Sequence, residues 1–311
     1  MISKWPDISY SGWRETCSAL HLYTQIAGKY RLARTPWINH SWQATLYVTA
    51  RGLSTSIIPD GPGGIEVLID LFEHRVTLAA SDGKCAHLPL GPGTVADFHH
   101  AFRDAIASIG GTPNFDGHPN EIRGAVPFAD DHAHRPYDRE AAHRFHRALV
   151  LVDQVFKQFR TAYLGKASPV HLFWGSFDLA VTRFSGSRAP LHKGGIPGLP
   201  DAVAREAYTH EVSSAGFWPG GAGVDFAAFY SYAYPTPQGF AEAKISPDAA
   251  CFDPSLGEFV LPYDAVRLAT NPEQVLMSFL ESTYDAAATC AGWNRSELEC
   301  AMGEPRRPRP I

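Results

Sequence analysis

Trp42-Gln-Ala-Thr-Leu-Tyr-Val-Thr-Ala-Arg51 and Trp174-Gly-Ser-Phe-Asp-Leu-Ala-Val-Thr-Arg183 are the two stretches whose reading decides the fold. Each runs from a tryptophan through apolar and hydroxyl residues to an arginine, and each follows a Gly-Lys pair (Gly28-Lys29, Gly165-Lys166) and a proline (Pro36, Pro169). A helix-like run precedes each copy, and a Leu-Pro turn (Leu88 to Leu90, Leu261 to Tyr263) with an amphipathic helix trails it. Order and flanking elements agree as well as letters, so the sequence predicts an α+β protein built by internal duplication. The expected unit is helix, antiparallel strands, helix, and two such units pack with pseudo-two-fold symmetry. The expected division is 1–111 for the first unit, 112–137 for a linker, 138–295 for the second unit and 296–311 for a frayed tail, all in one globular body.

Outward from these stretches, Leu20, Tyr23, Ile26 and Ala27 predict a helix from about Trp13 to Arg31. Trp42 to Thr49 reads as a strand, and Ile65 to Phe72, Val76 to Ala80 and Cys85 to Leu90 as a meander turning at Ser81-Asp-Gly-Lys84. Thr94 caps a helix that Gly110-Gly111 stops, and Asp138 caps a longer one running to Leu164. Val170 to Arg183 reads as a strand and Gly186 to Pro200 as a loop. Ala227 to Tyr234 and Glu258 to Pro262 read as strands, and Pro272 to Ala291 as a helix.

Composition narrows the function. A formal charge of -5 over 311 residues leaves no basic face for nucleic acid outside the short Arg306 to Arg309 tail. No apolar run is long enough for a bilayer, and the first residues lack the layout of a signal peptide. Cys17, Cys85, Cys251, Cys290 and Cys300 are odd in number, scattered and without C-x-x-C spacing, so no disulfide framework is expected and the cytoplasm is the default compartment.

Trp5-Pro-Asp, Leu20-His-Leu-Tyr-Thr-Gln25, Asn39-His40-x-Trp42, Ser168-Pro-Val-His171, Tyr208-Thr-His-Glu-Val212, Gly216-Phe-Trp-Pro-Gly-Gly221 and Leu261-Pro-Tyr-Asp264, with the two stretches above, resemble an uncharacterised bacterial family, domain of unknown function 5996. The resemblance covers nearly the whole chain. It implies no reaction and carries over no site residue.

The chemistry is therefore weighed residue by residue. His171 alternates with Phe173, Phe177 and Leu179, which makes it a core histidine or a cleft wall. Asp178 falls on the other strand face and needs a partner if buried, with Arg183 or Arg51 as candidates. His210-Glu211 leads into a glycine-rich aromatic segment, where an imidazole beside a carboxylate can exchange protons near neutral pH. The expected catalytic groups are His171, His210 and Glu211, and the expected substrate-binding residues are Arg51, Trp174, Arg183, Trp218 and Tyr232. His40, His171 and His210 form the candidate ligand set for an optional divalent metal. The glycine runs match no phosphate loop, so no nucleotide cofactor is expected, and no serine elbow is present. Two classes follow: a small-molecule enzyme with an aromatic-lined pocket between the halves, Tyr230 and Tyr234 among its aromatics, or a non-catalytic ligand-binding or assembly protein.

Overall fold

In the computed structural model, which describes residues 5–221 and 224–309, the first half runs α1 (Tyr10–Leu32), a 3-10 turn (Asn39–Ala44), β1 (Tyr47–Val48), β2 (Gly52–Asp60), β3 (Gly63–Asp70), β4 (Arg75–Ala80), β5 (Cys85–Pro89) and α2 (Val95–Ser108). The second half runs α3 (Arg139–Thr161), β6 (His171–Phe173), β7 (Asp178–Arg188), α4 (Asp201–Ala207), β8 (His210–Trp218), β9 (Ala228–Tyr234), β10 (Cys251–Asp253), β11 (Glu258–Pro262), α5 (Tyr263–Arg267), α6 (Pro272–Cys290) and α7 (Arg295–Leu298). Helices and antiparallel sheets together make the fold α+β. The capping signals act as expected: Thr94 Oγ1 accepts from the Asp97 amide and Asp138 Oδ1 from the Ala141 amide.

The first sheet is a meander in the order β1-β2-β3-β4-β5. Leu53, Ile58, Ile65, Val67, Ile69, Val76 and Leu78 line its inner side and are fully buried, with α1 and α2 packed near it. The alternate residues Ile57 and Glu66 face water, the pattern of a one-sided sheet. The second sheet has the order β10-β11-β9-β8-β7-β6. Its Leu179, Val181, Phe217, Phe229, Phe259 and Leu261 are buried, with α3 and α6 against the sheet. The two sheets meet where Leu46 and Leu172 exchange both backbone hydrogen bonds, at 2.9 and 2.7 Å.

Helix, antiparallel sheet, helix thus recurs, but the second sheet is no simple meander, since β11 lies between β9 and β10, and the residues that suggested duplication do not hold matching places. Trp42 sits in the 3-10 turn ahead of β1, whereas Trp174 follows β6 in the turn to β7. Arg51 is in the β1–β2 turn and Arg183 is inside β7. The stretch from Val170 to Arg183 is not one strand either, because residues 174–177 turn the chain back and Phe177 takes a left-handed φ of 59°. The polar segment at 210–214, with the glycine-aromatic residues after it, is the central strand β8. Residues 112–137 are built into the body, with Phe128 fully buried. No helix among the described residues is long and apolar enough to cross a membrane.

Candidate functional site

Strand alternation puts Asp178, Ala180 and Thr182 of β7 on the sheet face away from α3 and α6, and the register sets Ser214 beside Thr182 and Gly216 beside Ala180. Ser214 in turn pairs with Tyr232, and Gly216 with Tyr230. Residues 189–209, which join β7 to β8, do not form a tight turn. They fold over this face, and α4 lies within them. Beneath them is a cavity of about 420 Å³, lined by Asp178, Thr182, Ser214, Trp218, Tyr230, Tyr232 and Glu258 from the sheet and by Ile196, Leu199, Val203 and Tyr208 from the cover. His40, Ser41 and Glu121 reach it from outside the second half.

The buried Asp178 carboxylate accepts from the Ser176 hydroxyl and the Tyr230 hydroxyl. Burial pushes its pKa up, and these two donors hold it back. Gly216 makes the second bond possible: a Cβ there would run into the Tyr230 ring, which lies flat across the strand on its way to Asp178. Tyr208 and Tyr232 share a hydroxyl–hydroxyl bond of 2.9 Å, and Thr182 and Ser214 another of 2.8 Å. Trp218 packs on Tyr230 with ring centroids 4.4 Å apart.

Two further carboxyls face the cavity with no such help. Burial, then the charge on Asp178, raises Glu121 to about 7. Burial, Asp178 and Asp253 raise Glu258 to about 8, and its buried Oε2 has no hydrogen-bond partner. Glu121 has a left-handed φ of 59°, and His40 and Ser41 beside the cavity have φ of 64° and 59°. Backbone in this region costs on the order of 1–3 kcal/mol per residue and gathers at binding sites. Glu121 is held there by its neighbour: the buried Gln25 amide brackets Asn120, accepting from its N–H at 2.7 Å and donating to its carbonyl at 2.9 Å. Asn120 Nδ2 donates to the Gly198 carbonyl of the cover.

Of the residues expected from sequence, His40, Trp218, Tyr230 and Tyr232 line the cavity. The proposed catalytic set is not brought together there. His171 is buried on β6, with Nδ1 3.2 Å from Thr45 Oγ1, and burial beside Arg31 and Arg160 lowers it to about 3. Glu211 projects to the opposite sheet face, where it accepts from Ser185 at 2.8 Å. His210 pairs with Thr209 Oγ1 at 3.0 Å, its ring 6.4 Å from that of His40. The ring nitrogens of His40 are engaged by the Ala207 carbonyl and by Lys166 Nζ, and burial lowers its pKa. His40, His171 and His210 therefore make no ligand set, and among the described residues no group of three His, Cys, Asp or Glu is placed to hold a metal ion.

The arginines are engaged elsewhere. Arg51 pairs with Asp70 at 2.6 Å and Glu73 at 3.3 Å on the first sheet. Arg183 is buried on the helix side, over the Phe159, Tyr163 and Tyr284 rings, and donates to the Phe159 carbonyl. Neither partners Asp178; two hydroxyls do. Trp174 packs against Gly28 and donates to the Ala44 carbonyl at 2.6 Å, lining a neighbouring cavity. The cavity carboxyls missed from sequence are Glu121, inside the expected linker, and Glu258, at the start of a short strand. Only the Tyr-x-Tyr-x-Tyr alternation of β9 signalled a tyrosine wall in advance.

No curated protein and no solved structure matches this chain. A family model described as "Family of unknown function (DUF5996)" matches residues 5–300, so the chain belongs to that family.

Proposed function

We propose that the protein is a small-molecule enzyme whose reactive pocket is the cavity over the second sheet, with carboxyl groups in place of histidine as its acid and base. The observation that carries this reading is the pair Glu121 and Glu258, raised to about 7 and about 8 while facing one cavity, each in the field of Asp178. Groups that titrate near the working pH give and take protons at the lowest cost. Asp178 and Tyr230 would orient the polar part of the substrate, and Tyr208, Tyr232 and Trp218 would exclude water from it. The five cysteines are all free, which supports a reducing compartment, the cytoplasm.

The test is a thermal-shift screen of metabolites, since a ligand at a hundred times its Kd stabilises the native state by about 2.7 kcal/mol. Turnover of the hits is then compared between the native chain and Glu258→Gln and Asp178→Asn. Both substitutions keep shape and remove an ionisable group, so folded variants should lose turnover. Full turnover by folded variants would overturn the assignment, and binding without turnover in the native chain would make this a ligand-binding protein.

A further inference from the structure

The lining of the cavity is electrically one-sided. Three carboxyls face it, and among its lining residues there is no lysine or arginine. Its one basic side chain, His40, is held by a backbone carbonyl and a lysine. Asp178 has two hydroxyl donors, but Glu258 leaves a fully buried oxygen without any donor. Buried acceptors are normally satisfied, and one left open inside a cavity is a place for a donor that arrives with the ligand. The walls beside these acceptors are aromatic faces, Trp218, Tyr230 and Tyr232, which attract cations through their π-electrons.

The cavity also has a neighbour. Ser41, Glu121, Phe173, Leu199 and Val203 border both it and a second cavity of about 540 Å³. That outer chamber has Leu32, Ala44 and Trp174 in its wall and Trp37 at its edge, half exposed. Its lysine, Lys29, is already neutralised by Asp116 at 2.5 Å. An acidic, aromatic inner chamber thus adjoins a more apolar outer one across Glu121 and Phe173.

Resting on the pocket assignment above, we infer that the ligand is an organic cation, an amine carrying an apolar tail. Its ammonium group lies among Asp178, Glu258 and the tyrosines, and its tail passes Phe173 into the outer chamber against Trp37 and Trp174.

The experiment is calorimetric titration of the full chain at pH 8.5, where Glu121 and Glu258 are largely ionised and alkylamines remain protonated, with n-butyl-, n-hexyl- and n-octylammonium, set against n-alkyl carboxylates of the same lengths. The amines should bind and the carboxylates should not, and affinity should rise about three- to fourfold for each methylene that enters an apolar chamber. Glu258→Gln should weaken every amine at least tenfold. Trp37→Ala, at a half-exposed position that the fold does not depend on, should flatten the dependence on length and leave butylammonium unchanged. Carboxylates binding as well as amines would overturn the cationic class, while Asp178→Asn abolishing their binding would still uphold the pocket. Amines binding without dependence on length would overturn the tail chamber alone. Amine binding that survives both Asp178→Asn and Glu258→Gln would overturn the site itself.

Discussion

The same antiparallel step is made in two ways in this molecule. β2 and β3 are joined by Gly61-Pro62, and the face they carry away from the core stays open to water. β7 and β8 are joined by residues 189–209, which fold over the corresponding outer face of the second sheet. An open sheet face can be polar at little cost because water solvates it. A roofed one must bury its carboxyls and hydroxyls, and what water no longer satisfies must be met by neighbours or by a ligand. Most of the unusual chemistry of the chain follows from that one long connection.

The sharpest way to break this comparison is to set the two faces of β8 against each other. Phe217 packs toward α6 against Phe229 and Tyr263, and Phe217→Ala should cost about 3–5 kcal/mol in urea unfolding. Ser214→Ala, on the roofed face, should cost only about 1 kcal/mol, the loss of its bond to Thr182. Equal losses would mean that the roofed face is ordinary core.

Next in size is Gly216→Val. The new side chain collides with the Tyr230 ring and should destabilise by about 1–3 kcal/mol, shifting the tyrosine absorbance as its bond to Asp178 is lost. An unperturbed tyrosine spectrum would show that the strand accommodates a side chain and that the glycine is incidental.

The third test is pH. Glu121 and Glu258 have folded-state values of about 7 and about 8, above an unfolded value near 4.5, so the native state holds more protons than the unfolded one between these limits. Stability must then fall as pH rises through the folded values, by roughly 1–3 kcal/mol from pH 6.5 to 8.5. The buried His21, lowered to about 4, and His171, lowered to about 3, act in the opposite sense, but only below the unfolded histidine value of 6.5. Glu258→Gln should flatten the alkaline slope seen in thermal melts at pH 6.5, 7.5 and 8.5. A flat native slope would mean that these carboxyls are already ionised in the fold.

Smallest in stability is replacement of residues 192–198 by a glycine-serine linker of equal length. Unfolding should change by less than about 1 kcal/mol, because most of these residues are exposed or half-buried. Ligand protection should vanish. Protection that survives would place the binding site elsewhere.

Much of the fold was legible because periodicity and capping are local. α2, α3, α6 and the strands β3 to β5 fall close to where apolar spacing, Thr94, Asp138 and the Ser81 to Lys84 turn put them. The site was less so. The turn at 174–177 reset the alternation, so that His171 pairs with Ala180 and the face assignments made through Trp174 no longer applied. β8 was obscured by His210, Glu211, Ser213 and Ser214, polar residues in a strand one face of which the connection just before it roofs. Glu121 reaches the cavity through a backbone clamp from Gln25, some hundred positions away in the chain, a relation that no spacing rule contains.

Gly216 carries a wider lesson. Tyr230 meets Asp178 beside a glycine, and the groups that react and the shape that selects are written in separate stretches: Glu121, Asp178 of β7, Tyr230 of β9 and Glu258 of β11 hold the former, while Ile196, Leu199 and Val203 of the roof hold much of the latter. A lineage could therefore exchange one surface segment and change what it admits without disturbing the proton-handling groups beneath, and a protein engineer could do the same.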